Sequence, residues 1–367
     1  MSQPANLPRW AALWLMPVLN LVAALFVSGL VIALIGEDPI ECLKLLINGA
    51  FGYPEGIGYT LFYTTSFIFT GLAVAAAFHA GLFNIGGEGQ MYLSGLGVTL
   101  VCLQFGGLPG WLLIPLALLG AILFGAAWAF VPAWLQAKRG SHIVVTTIMF
   151  NFIASSLMNW LLVDKLRMPG SQVPATVTFA QTAWVPLLKD VFAPLGFVLP
   201  NTPLNASFFL AILALVLFYV VVWHSPQGFV TRTVGLNEKA ARYAGMPVDK
   251  IIILVMCVSG ALAGMASINE LLGSTHRMNL GFTNGIGFVG IAVALMGRNH
   301  PVGILLSALL FGALTQGGLD LSFEKPAITR EMIIFTQGLI ILFCGALENL
   351  FQTPLSLAFK RMLKKEG

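Results

Sequence analysis

Charge is what this chain has least of. Lys and Arg number 19 and Asp and Glu 15 in 367 residues, 9% in all, where a soluble domain carries about 25%. So few charges cannot cover an aqueous globule of this length, which excludes an ordinary cytosolic enzyme and a disordered protein. A net charge of +4 without a clustered basic face excludes nucleic acid as a partner. Cysteine is scarce too: Cys42, Cys102, Cys257 and Cys344 lie far apart with no C-x-x-C pair. They signal neither a zinc site nor a disulfide framework and read as small apolar residues. The phosphate-cradling string G-x-x-x-x-G-K-S/T is missing, so no nucleotide is held by a P-loop. His79, His142, His224, His276 and His300 show no H-x-x-x-H or H-E-x-x-H spacing, and no nucleophile–base constellation appears. No metal, cofactor or catalytic residue is expected.

What fills the chain instead is apolar: 57% hydrophobic residues and a mean hydropathy of +0.88. A membrane span takes about 20 apolar residues. Apolar runs occur at 10–35, 57–80, 91–105, 111–135, 143–163, 207–223, 251–272, 286–297, 302–318 and 332–350. The first is too long for a signal-peptide core and lacks a cleavage site, so it is kept as a helix. The expected fold is all-α, a polytopic membrane protein of about ten transmembrane helices forming one domain over 1–367. With the N-terminus inside, Lys and Arg divide 12 inside against 7 outside, which favours both termini in the cytoplasm.

Ten spans fall into two sets of five, 1–163 and 207–367, separated by an extracytoplasmic loop at 164–206. An odd number per set inverts the second relative to the first. A faint echo supports the pairing: Asn84-Ile85-Gly86-Gly87-Glu88-Gly89-Gln90 precedes the short third span, and Asn284-Gly285-Ile286-Gly287-Phe288 precedes the short eighth. In inverted-repeat transporters, paired short or interrupted helices point to the substrate path.

Polar side chains inside such a chain need a reason, because they are expensive in hydrocarbon. Asn84, Glu88 and Gln90 sit in a glycine-rich turn, where Glu88 either lines a path or accepts backbone hydrogen bonds, or else is solvated in a plain loop. Asn151 and Asn159 are about two turns apart on one helical face and either line a channel or bond to a neighbouring helix. Asn284 stands at the corresponding place in the second half. Asn269 and Glu270 fall near the outer end of the seventh span, at an interface or in a binding role, and Glu348 meets the inner interface. Gly285-Ile286-Gly287-Phe288-Val289-Gly290 satisfies G-x-G-x-x-G, but no strand precedes it, which argues against a dinucleotide site. Gly260-Ala261-Leu262-Ala263-Gly264 suits close helix packing.

The polar segment 224–250 is the most informative. Asn237 can cap a short helix from Glu238 to about Ala244, which Gly245 and Pro247 would end. Alone it is too short to be stable, and its small face of Ala240, Ala241 and Ala244 suits docking into a partner's groove.

Phe83 to Met91, together with Gly235-Leu236-Asn237 and Ala240-Ala241-Arg242-Tyr243-Ala244-Gly245, resembles the membrane permease subunits of ABC importers for simple sugars and nucleosides. That family also takes in ribose-type and branched-chain amino-acid permeases. The resemblance spans nearly the whole chain, and Asp38-Pro39 with Gly49-Ala50-Phe51-Gly52 looks like the longer paralogue of the nucleoside branch. It implies a substrate path involving Asn84, Glu88, Gln90, Asn151 and Asn284. It also implies a coupling segment (Gly235, Asn237, Ala240, Ala241, Arg242, Tyr243, Gly245) that inserts into a cytoplasmic ATPase subunit. The implied partners are that ATPase, a second and shorter permease, an extracytoplasmic substrate-binding protein and the lipid of a bacterial-type inner membrane. After Lys138-Arg139-Gly140 many relatives carry Asn-Glu where this chain has Ser141-His142. The leading expectation is an importer of nucleosides or related simple sugars. Alternatives are a sugar or branched-chain amino-acid permease and an ion-coupled secondary transporter, which would need an intramembrane carboxylate such as Glu88 or Glu270.

Overall fold

The computed structural model describes residues 15–343; Glu348 and Cys344 lie outside them. Fourteen α-helices follow one another among the described residues: α1 Met16–Ile35, α2 Pro39–Phe51, α3 Pro54–His79, α4 Gly87–Gln104, α5 Gly110–Arg139, α6 Ile143–Trp160, α7 Leu188–Phe192, α8 Ser207–His224, α9 Pro226–Leu236, α10 Glu238–Tyr243, α11 Val248–Glu270, α12 Ile286–Met296, α13 Pro301–Glu324 and α14 Arg330–Ile341. The fold is all-α and polytopic, as composition requires. Every expected span has its helix. Seven are long and apolar enough to cross a bilayer: α1, α3, α5, α6 with its π-helical extension to Lys165, α8, α11 with its extension to Thr275, and α13. The other three expected spans are α4, diluted by Gly and polar residues, α12, only 11 residues long, and α14, described as far as Ile341.

Contacts divide the chain into two compact units, Met1–Gly52 with Ala313–Gly367, and Tyr53–Gly312. In the first, residues 39–51 form a helix where no element was expected. Asp38 is its N-cap, accepting from Ile40 N at 2.8 Å, with Pro39 in the first turn, the arrangement that starts a helix best. Cys42, Leu321 and Ile328 pack together beneath it, while Lys325 bridges Glu37 (3.2 Å) and Glu41 (3.0 Å).

The second unit is organised around α11, which packs against α3, α4 and α5. Glycines make this possible. A Cβ at Gly260 would collide with the Gly125 carbonyl of α5, and one at Gly264 with Ser94 of α4. The small-residue pattern read from sequence is therefore a helix-crossing surface. Around this core, α5, α6 and α8 turn Leu123, Phe152 and Leu217 outward, the inside-out arrangement of a protein whose solvent is hydrocarbon.

The 164–206 segment is not a bare loop. It carries a 3-10 turn at Gln181–Ala183 and the short α7. It also bonds backbone to backbone along the segment after α11, through Thr176 N to Met278 O (3.0 Å), Phe179 N to His276 O (2.8 Å) and Val185 N to Leu272 O (3.0 Å). The 224–250 segment likewise holds two helices, α9 and α10, where one was expected.

Candidate functional site

The start of α4 and the start of α12 meet in the second unit. A Cβ on Gly287 would collide with the Glu88 backbone, so only glycine allows this approach. Glu88 is not in a turn, as its glycine-rich surroundings suggest, but in the first turn of α4. Its Oε1 accepts from Gly285 N at 3.0 Å and its Oε2 from Gly287 N at 2.8 Å. Both N–H groups belong to the start of α12, where helix dipoles favour negative charge. Glu88 thus caps a helix through a donor 199 residues further along the chain.

Asn84 and Gln90 stand behind this junction. Asn84 is fully buried, Gln90 nearly so, and they pair as amides: Asn84 Nδ2 to Gln90 Oε1 at 3.0 Å and Gln90 Nε2 to Asn84 Oδ1 at 3.2 Å. Asn84 also donates to Ser259 Oγ of α11 (2.8 Å) and accepts from Gly86 N (2.8 Å). Their polar capacity is spent on holding the entry of α4. Neither lines the cavity described next.

That cavity, of about 440 Å³, opens between the first turns of α4, one face of α6 and the segment before α12. It is lined by Glu88, Gly89, Tyr92, Asn151, Ser155, Ser156, Asn159, Leu280, Gly281, Thr283, Asn284 and Gly285. Of the five path residues expected from sequence, Glu88, Asn151 and Asn284 meet here. Asn151 also positions the wall, accepting from Gly89 N and donating to Ile85 O, each at 2.9 Å. Asn284 is left-handed, with φ +46, a conformation Asn tolerates better than most side chains. Tyr92 Oη accepts from Gly281 N at 2.7 Å and fixes the segment opposite α6. Ser155, Ser156, Tyr92 and Thr283 were not singled out from sequence. Ser155 could have been, because Asn151, Ser155 and Asn159 recur every four residues on one helical face. Glu88 is the one acidic residue in this lining, and both its oxygens are occupied.

Asn269 and Glu270 are enclosed by neighbouring helices. Both are buried in a network in which Asn269 donates to Ser66 Oγ (2.8 Å) and Phe62 O (3.0 Å) and accepts from Asn205 (2.9 Å) and Ser207 (2.8 Å). Ser66 Oγ donates to Glu270 Oε1 at 2.8 Å. The network lies away from the cavity and ties α3, α8 and α11 together.

At the α10 segment the local geometry matches the sequence reading. Asn237 Oδ1 accepts from Ala240 N at 3.0 Å, Gly245 takes φ +79, and Met246 N returns to Ala241 O at 3.0 Å. The orientation differs. Ala241 is fully buried among Ala77, Leu82, Ala133, Ile143 and Val248, so it anchors α10 rather than presenting a docking face. Ala240, Arg242, Tyr243 and Ala244 are exposed, Tyr243 at 94% and the preceding Leu236 at 87%. Gly235 abuts the backbone of His79, Ala80 and Gly81, where a Cβ would clash, and so seats α9 on the end of α3. The ionic partners of α10 were not foreseen: Arg242 meets Asp249 at 2.8 Å and Glu238 at 3.3 Å, and Asp249 also meets Lys138 at 2.8 Å.

Comparison with known proteins adds an independent line. Residues 56–344 match the family model described as branched-chain amino acid transport system / permease component. A glucose ABC transporter permease protein of Haloferax volcanii is 34% identical over 97% of this chain and 93% of its own length. A guanosine ABC transporter permease protein of Bacillus subtilis is 34% identical over 90% and 93%. A nucleoside ABC transporter permease protein of Lactococcus lactis is 31% identical over 96% and 97%. With the matched family model covering most of its length, and with helices suited to a bilayer throughout, the chain belongs to the permease-component family of the branched-chain amino acid transport system.

Proposed function

We propose that this chain is a transmembrane permease subunit of an ATP-driven importer and forms part of the path for nucleosides or related simple sugars. The observation that carries this is the cavity of amides and hydroxyls between α4, α6 and the approach to α12, in a chain that is otherwise 57% hydrophobic. Such a lining suits a neutral solute with many hydroxyl groups better than an ion. Asn151, Asn284 and the α6 face would meet the solute. Glu88, Asn84 and Gln90 would set the position of the wall.

The same reading makes α10 the coupling helix of a separate cytoplasmic ATPase, with Leu236, Ala240 and Tyr243 as its exposed contacts. It puts both termini in the cytoplasm and delivers the solute from an extracytoplasmic binding protein. A second, shorter permease would complete the path, and the halves 1–163 and 207–367 would be inverted repeats. The meeting of α4 with α12, which start at corresponding places in the two halves, supports that symmetry. Ion-coupled transport is disfavoured because both oxygens of Glu88 already accept backbone N–H groups, and Glu270 is bonded to Ser66 outside the cavity.

Uptake of radiolabelled guanosine into cells with and without the ATPase subunit tests the reading. Uptake that disappears with the ATPase supports it, and undiminished uptake overturns it. The relative named for glucose favours a second reading, a sugar importer. Glucose that competes fully with guanosine, or is carried in its place, would establish that alternative.

A further inference from the structure

Asp249, in the first turn of α11, holds cations from two other helices with its two oxygens. Oδ2 accepts from Lys138 Nζ of the last turn of α5, and Oδ1 from Arg242 Nη2 of α10, each at 2.8 Å. Six residues cannot sustain a helix on their own, so α10 depends on what grips it. Asn237 sets its start, and the Ala241 methyl group seats it on the core. Met246 and Val248 pack into the same cluster just beyond it. The two ion pairs to one carboxylate add a lateral tie: Arg242 joins α10 to α11, and Lys138 joins α11 to α5.

Pairs as exposed as these add little to global stability. Their importance is in register. From Asp249, α11 leads ten residues on to Ser259, which accepts from Asn84, and Asn84 holds Gly86 and Gln90 at the entry of α4. A contiguous chain of contacts therefore runs from α10 to the wall of the polar cavity.

We propose that Asp249 is a positioning residue that makes α5 and α11 move with α10, so that a displacement of the coupling helix reaches the cavity. This rests on the reading of α10 as the surface that an ATPase engages. It predicts a defect in the efficiency of energy transfer, not in solute recognition or in assembly.

The test uses the whole importer, permeases with ATPase and binding protein, in proteoliposomes. The measurements are solute uptake, its half-saturating concentration and the ATP hydrolysed per solute moved. Asp249→Asn is expected to raise the ATP cost per solute about tenfold, the size of a typical coupling between sites, with half-saturation unchanged. Asp249→Glu should restore efficiency, and Lys138→Gln, which cuts only the link to α5, should reproduce part of the defect. Wild-type efficiency in Asp249→Asn overturns the proposal. So does an Asp249→Asn protein that is merely depleted from the membrane while each surviving complex works normally, since Asp249 would then serve folding alone. Failure of the underlying reading looks different: wild-type uptake would then proceed without ATP hydrolysis.

Discussion

The Glu88 carboxylate of α4 and the Gly287 backbone N–H of α12, 199 residues apart in sequence, are joined at 2.8 Å, and the companion oxygen takes Gly285 N at 3.0 Å. One side chain therefore supplies acceptors for N–H groups that α12 cannot satisfy within itself. The negative charge stands where the α12 dipole stabilises it. Glu88→Gln keeps one acceptor but turns an NH₂ toward the other N–H, and Glu88→Ala removes both acceptors. Expected losses are about 1 kcal/mol for Gln and ~2–3 kcal/mol for Ala, from unsatisfied backbone donors and lost dipole stabilisation. Thermal unfolding in detergent checks the order, and uptake should fall in the same order. An unchanged melting temperature in the Ala variant would show that the N–H groups find other acceptors.

Asn151 and Asn159 share one face of α6 and both line the cavity, yet they differ in what they hold. Asn151 bonds to Gly89 N and Ile85 O, whereas Asn159 is exposed. Asn151→Leu should therefore lower both stability, by about 1–3 kcal/mol, and uptake. Asn159→Leu should leave stability within ~0.5 kcal/mol while lowering uptake by narrowing a polar wall. Equal effects on stability would mean that the two residues do the same job.

Ala241 and Tyr243 separate anchoring from docking. Ala241→Glu forces a carboxylate into the cluster of Ala77, Leu82 and Ile143, an unpaired buried charge that costs ~4 kcal/mol. It should detach α10 and lower membrane levels. Tyr243→Ala changes only a side chain that is 94% exposed. It should leave levels and melting unchanged yet weaken co-purification of the ATPase. Normal recovery of the ATPase with Tyr243→Ala would remove this residue from the docking surface.

The reach of sequence reasoning follows from the range of the forces involved. Apolar runs located a helix at every expected span because hydropathy is a local property, and the Asn237 cap and Gly245 stop of α10 were legible because capping acts over a few residues. The α2, α7 and α9 helices were missed, being short and without a spanning signature, although Asp38-Pro39 marked the start of α2. The inward turn of Ala241 was not legible, since an alanine reads alike on either face until its neighbours are known. Nor could the sequence show Lys138 meeting Asp249, 111 residues apart. The cavity falls between these cases: Asn151, Glu88 and Asn284 announced themselves as polar residues in apolar surroundings. Ser155 was marked only by its four-residue spacing from Asn151 and Asn159, and Ser156 not at all, because a serine in a membrane helix can bond to its own backbone at little cost.

His276 offers a pH-dependent prediction in the segment after α11. Its ring stacks on Trp184 with centroids 3.9 Å apart and planes 9° from parallel, and the half-buried imidazole lies beside the Leu272 backbone. Burial pushes the imidazole below its ordinary value of 6.5, because a proton added at the ring would be poorly solvated. A depressed value in the folded state means that the open segment binds a proton first. The stack is fully stable above pH 6.5 and is weakened progressively as pH falls from there toward the folded value. Acidification from pH 8 to pH 5 should loosen the pairing of 175–185 with 272–279, speeding amide hydrogen exchange at Thr176, Phe179 and Val185, whose N–H groups bond across to Met278, His276 and Leu272. His276→Gln cannot take up the proton, so its exchange at these amides should vary with pH only as the intrinsic chemical rate does. If the wild-type protein follows the intrinsic rate equally well, the stack does not depend on the charge of His276.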